Sequence, residues 1–117
     1  MFIRYNPNPK RVHAIDCTVR AIAKVMDMSW YEAYIGIAIQ GLIEGDMPSA
    51  DHVWGKYLKE HGFSQEIVEE NSVEDFARGN IGRCVLKVSE HVVAVIDHDW
   101  YDVTDCRNGV PLYAWRL

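Results

Sequence analysis

The spacing of apolar positions changes once along this chain. Through the first two thirds, apolar residues recur at helical intervals; through the last third they alternate or run together, as in strands. From Cys17 to Met28 the residues Cys17, Val19, Ala21, Ile22, Val25 and Met26 form a helical stripe, with Asp16 placed to cap it. Ser29-Trp-Tyr-Glu32 has the Ser-x-x-Glu form of a capping box. It opens a second helix through Tyr34, Ile35, Ala38 and Ile39 that ends near Gly41 or Gly45. A third helix is predicted after Pro48-Ser49, carrying Val53, Trp54, Tyr57 and Leu58 and stopping at Gly62. Phe63 to Val68 reads as a strand, and Ser72 to Ala77 as a short helix capped by Ser72. Residues 1–12, with Asn6-Pro-Asn-Pro9, read as an extended lead-in.

Beyond residue 82 the pattern is that of strands. Arg83 to Val88 alternates, with Cys84, Leu86 and Val88 on one face. His91 to Ile96 is almost wholly β-branched or small, as in a strand buried on both faces. Trp100 to Thr104 and Leu112 to Trp115 follow, the latter after a turn signalled by Asn108-Gly109. Strands joined by short turns imply an antiparallel sheet. Helices first and strands afterwards give the α+β class, in one domain over 1–117.

Composition narrows the function. Twelve basic and 17 acidic side chains give a net charge of −5 without a Lys/Arg cluster, which argues against a nucleic-acid partner. No apolar run approaches the ~20 residues that span a bilayer, and the N-terminal residues lack a signal-peptide pattern. The three cysteines, an odd number, argue against a disulfide framework and predict a reducing, cytoplasmic setting. Their spacing offers no paired-cysteine metal motif, and no cofactor motif is present.

Register then suggests a site. A three-residue loop, Asp97 to Asp99, would pair Ile96 with Trp100. Five positions further from the turn on each strand, His91 would face Asp105. A shift of one residue would send the two side chains to opposite faces, and in the preferred register Asp102, the rival partner, faces away. Cys17 begins a helix, where partial positive charge stabilises a thiolate. A thiolate at Cys17, an imidazole at His91 and a carboxylate at Asp105 are the parts of a nucleophile–base–orienter triad. One oxyanion donor would be the Cys17 backbone N–H. The lead-in offers Asn6 and Asn8 for the second.

Plainer readings exist for each residue. Cys17 would serve as a small buried hydrophobe, His91 as a strand end bonded to a carbonyl, and Asp105 as a cap on the Asn108-Gly109 turn. Cys84 reads as core; Cys106 adjoins Asp105. A metal held by His91, Asp105 and Cys17 lacks the local ligand spacing of metal motifs.

The segments Asp16-Cys17-Thr-Val-Arg-Ala-Ile, Glu90-His91-Val-Val-Ala-Val and Tyr101-Asp-Val-Thr-Asp105 resemble small papain-like cysteine peptidases. The branch is the one that includes bacteriocin-processing peptidase domains and short uncharacterised proteins of gut bacteria and their phages. Tyr5-Asn-Pro-Asn-Pro9 and Asp46-Met-Pro-Ser-Ala-Asp-His-Val-Trp54 are similar in style to that group. The resemblance implies a helix bearing Cys17 packed on an antiparallel sheet bearing His91 and Asp105, a peptide or protein substrate, and hydrolysis through a thioester. The same triad serves a deamidase, a transglutaminase-like enzyme or an acyltransferase. Papain-like enzymes carry a Gln about six residues before the Cys, and Arg11 stands there in this chain. That departure leaves room for a scaffold that binds a host or other partner protein without catalysis.

Overall fold

The computed structural model describes residues 1–11 and 13–117; Val12, at the end of the expected lead-in, lies outside the described residues. In chain order the elements are β1 (Phe2–Arg4), α1 (Cys17–Val25), α2 (Trp30–Glu44), α3 (Asp51–Glu60), β2 (Ser64–Ile67), α4 (Val73–Gly79), β3 (Arg83–Val88), β4 (His91–Ile96), β5 (Asp99–Asp102) and β6 (Pro111–Arg116). The strands form one sheet in the order β1-β5-β4-β3-β6-β2.

The α+β expectation is met, and local chemistry explains most boundaries. Ser29 caps α2 through a complete capping box with Glu32. Gly45, at φ 71°, closes α2 in the left-handed conformation that glycine adopts without a Cβ clash. Ser72 caps α4 by accepting from the Asp75 N–H. The turn signalled by Asn108-Gly109 forms, with the Gly109 N–H donating to the Cys106 carbonyl at 2.9 Å, and Gly109 has a second role. A Cβ there would come within 2.6 Å of Val88 Cγ1, so glycine lets the 105–110 loop lie against β3.

The sheet separates two apolar clusters. On one face Val85, Val92 and Ala94 pack with Ile22, Val25, Ile37, Trp54 and Leu58 from α1, α2 and α3. On the other face Cys84, Leu86, Val88, Val93, Val95 and Trp100 pack with Val73, Phe76 and Ala77 of α4. Strand β4 contributes to both, which is why its sequence is continuously apolar. Among the described residues, no helix is long and apolar enough to cross a membrane.

Two departures from the sequence reading matter for the site. The lead-in contains a strand: β1 pairs with β5 in parallel, so the sheet is mixed. The α-amino group donates to the His98 carbonyl at 2.6 Å and anchors that edge. The β4–β5 turn has two residues, Asp97 and His98, because Ile96 pairs with Asp99. Asp97, at φ 50°, takes the left-handed conformation that Asp tolerates better than most residues. Its carboxylate and N–H are tied to the N–H and carbonyl of Gly82, each at 2.9 Å, and its carbonyl accepts from Asn80 Nδ2. These bonds fix the short turn, which brings every β5 residue one position nearer along β4.

Candidate active site

Cys17 is the first residue of α1, and α1 lies on β4, whose first residue is His91. Glu90, immediately before His91, has φ 57° in the tight Ser89-Glu90 turn. The short turn after Ile96 determines the third member. Continuing the register from Ala94↔Tyr101 sets Asp102 opposite Val93, two residues from His91 and on the same side of the pleat. Such diagonal neighbours are within reach of long side chains. Asp102 Oδ2 lies 2.5 Å from His91 Nε2.

The expected pairing of His91 with Asp105 is therefore corrected. Asp105 Oδ1 accepts from Trp100 Nε1 at 3.0 Å, and Asp105 Oδ2 from Arg107 Nε at 2.7 Å, so it braces the loop after β5. The three-residue loop would bring His91 and Asp105 together; the bonds from Gly82 and Asn80 select the two-residue one.

The oxyanion candidates also separate. Asn8 is buried and turns its amide nitrogen to Asp16 Oδ2 at 3.2 Å. Asn6 accepts from the Asn8 N–H and lines the cavity beside Cys17 and His91. Asp16 makes no side-chain cap to α1. It instead pairs with the Arg20 guanidinium and accepts from Trp30 Nε1 at 2.9 Å.

Charges alternate through the cluster. Burial raises the Cys17 thiol, but hydrogen bonding and charge from His91, the Val92 N–H and the Arg20 charge outweigh it and hold the thiol below its ordinary range. Hydrogen bonds to Asp102, then to Cys106 and Cys17, push His91 up to about 11 against the effect of burial. Burial raises the Asp102 carboxyl too, yet His91 and the Val103 N–H bring it below its usual value. These directions all favour charge on His91 and Asp102 and on the Cys17 sulfur, and the Asp102 contact occupies His91 Nε2, leaving Nδ1 as its other ring nitrogen. Cys106 is different: desolvation keeps it a protonated thiol beside His91 and Asp102. The donor atoms of His91, Asp102 and Cys106 lie within 4.8 Å of one another, but two of them are already joined by the 2.5 Å contact. Cys84, buried at 0% exposure with its thiol pushed up to about 11, is core as expected.

Two cavities meet at Cys17 and His91. One, of about 430 Å³, presents Arg4, Asn6, Arg11 and His13. The other, of about 360 Å³, is walled by Val19, Tyr34, Ile37, Met47 and Pro48.

Comparison with protein-family models, curated proteins and solved structures finds no match to this chain. The reading of the site therefore rests on its own geometry. Sequence reasoning missed Arg20 altogether. The signal was there: an Arg inside the run Thr18 to Ala23, every member of which is buried.

Proposed function

We propose that the protein is a small papain-like cysteine hydrolase that cleaves a peptide or other amide bond through Cys17, His91 and Asp102. The observation that carries the reading is the 2.5 Å contact of His91 Nε2 with Asp102 Oδ2, with Cys17 and His91 together in the walls of two cavities. In the first step the Cys17 thiolate attacks the carbonyl carbon, forming a C–S bond and an oxyanion. The Cys17 N–H at the start of α1 and the Asn6 side chain, which lines the cavity beside Cys17, would receive that oxyanion. Collapse breaks the C–N bond, and the His91 imidazolium gives its proton to the leaving nitrogen. The thioester then takes up water, with neutral His91 as base. The C–S bond breaks, the acid leaves, and the thiolate–imidazolium pair is restored. Asp102 holds the imidazole and balances its charge throughout. The cavities favour a short or flexible substrate segment with an apolar side chain on one side of the scissile bond and an acidic group on the other. A deamidase would share the thioester and release ammonia from a side-chain amide; an acyltransferase would pass the acyl group to an acceptor other than water.

The test is to trap the acyl-enzyme. Incubation with activated esters and peptide amides, followed by intact-mass and peptide mapping, is expected to give a hydroxylamine-labile adduct on Cys17. The adduct is expected to persist in Cys84→Ser/Cys106→Ser and vanish in Cys17→Ala. Adducts confined to Cys84 or Cys106, or no adduct with any probe, would count against the proposal. The commitment of Asn8 to Asp16, with Arg11 in place of a glutamine, favours a second reading. A scaffold of this type lacking an efficient oxyanion donor would bind a partner protein without turnover. A Cys17 adduct that forms but is not hydrolysed would favour it.

A further inference from the structure

We propose that Arg20 is a positioning residue that closes a ring of alternating charges, Asp16–Arg20–Asp102–His91–Cys17, and thereby sets both the orientation of Asp102 and the ionisation of the nucleophile. The inference rests on the hydrolase reading above and concerns how its site is held together.

The ring begins and ends on neighbouring residues. Asp16 and Cys17 adjoin in sequence, and Arg20 lies one helical turn later, on the same side of α1 as Asp16. Its Nη1 pairs with Asp16 Oδ1, and its Nη2 lies 3.3 Å from Asp102 Oδ1. The side chains of Asp16 and Arg20 are 8% exposed and that of Asp102 is 2% exposed. Each carboxylate has several donors. Asp16 also accepts from Asn8 and Trp30, and Asp102 from the Val103 N–H at 2.7 Å. Asp102 is thus gripped on one oxygen by Arg20 and Val103 while the other meets His91.

A helix bearing a nucleophilic thiol gains nothing from a buried carboxylate next to it. An unneutralised Asp16 would repel the Cys17 thiolate and oppose the positive end of α1. Arg20 cancels that charge and directs a second nitrogen to Asp102. Arginine suits both tasks: its planar fork spans two carboxylates, whereas a lysine ammonium acts as a single point charge. Cys106 also touches the ring at His91 and Asp102, and is replaced by serine in the test below; the other ionisable groups around Cys17 are Arg4, Arg11, His13, Tyr34, Asp51, Lys87 and Glu90, which line the two cavities. Because they are at the cavity walls, salt screens them more than it screens the buried ring.

The experiment is the pH profile of Cys17 alkylation by iodoacetamide in the Cys84→Ser/Cys106→Ser protein, with Arg20→Met and Arg20→Lys compared at a temperature where circular dichroism shows each folded. Arg20→Met is expected to raise the midpoint and slow labelling at pH 6 by roughly tenfold or more, about one pKa unit of lost thiolate stabilisation. Arg20→Lys is expected to fall between it and the parent. Added salt up to 0.5 M is expected to leave the difference between parent and Arg20→Met largely intact. A folded Arg20→Met or Arg20→Lys with the parent profile would overturn the proposal and assign Arg20 a purely structural role. If Arg20→Met does not fold, Arg20→Lys alone decides. Failure of the hydrolase reading looks different, because the parent itself would then label slowly, with an ordinary thiol midpoint.

Discussion

The starts of α1 and α2 carry similar signals in the sequence and behave differently in the structure. Both helices follow a residue type that caps well, Asp16 before α1 and Ser29 before α2. Ser29 accepts from the Glu32 N–H at 3.1 Å, and Glu32 returns the bond to the Ser29 N–H. Asp16 makes no such bond; its carboxylate goes to Arg20, Trp30 and Asn8. One helix start stabilises its own backbone, and the other gives up its cap to support a cluster of charges. A cap is worth about 1 kcal/mol, so a local preference of that size yields when a buried carboxylate needs a cation.

Substitutions on each side sharpen the contrast. The largest effect is expected from Cys17→Ala, which should abolish acyl-enzyme formation in the mass assay while the protein keeps its fold. Asp102→Ala should follow. It strips Arg20 and His91 of a shared buried carboxylate, and denaturant unfolding should show a loss of about 3 kcal/mol. Asp105→Asn, by contrast, should leave alkylation of Cys17 unchanged. Equal effects of the two Asp substitutions on alkylation would break the assignment of Asp102.

The pH dependence of stability has a definite sign. His91 is raised in the folded state, so its contribution is complete below its unfolded value of about 6.5. That contribution declines as pH rises and is gone above about 11. In a Cys17→Ala background, which removes the opposing titration of the thiol and one of the bonds that raise His91, stability should fall as pH rises above about 6.5, with the decline ending below about 11. Adding His91→Gln should flatten the slope. Asp102 is lowered, so its contribution is present above about 3.9 and is lost as pH falls through its folded value. The smallest effect is expected from Ser29→Ala, about 1 kcal/mol of stability with no change in the alkylation profile. An altered profile in Ser29→Ala would blur the distinction between the two helix starts.

Helices α2 and α4 were legible from their punctuation, Ser29 with Glu32 and Gly45 for one and Ser72 for the other, and α1 and α3 from their apolar stripes. The buried strand β4 was legible from its unbroken apolar run. What escaped depended on partners distant in sequence. Phe2–Arg4 is too short to show alternation, and its partner β5 is at the other end of the chain. The turn after Ile96 is set by Gly82 and Asn80, which no local pattern connects to it. One residue of error there was enough to choose Asp105 over Asp102. Cys17 and His91 were legible from type and position, since one begins a helix and the other a strand. The lead-in sequence offers Asn8 as readily as Asn6; the bond that commits Asn8 to Asp16 is a tertiary contact that no local pattern shows.

The central claim is that Cys17 and His91 form a thiolate–imidazolium pair. The most direct test is the pH dependence of Cys17 alkylation in the Cys84→Ser/Cys106→Ser protein, with and without His91→Ala. The account predicts rapid labelling with a midpoint well below the ~8.5 of a free thiol, lost in His91→Ala. Slow labelling with a midpoint at or above that value, unchanged by His91→Ala, would contradict it.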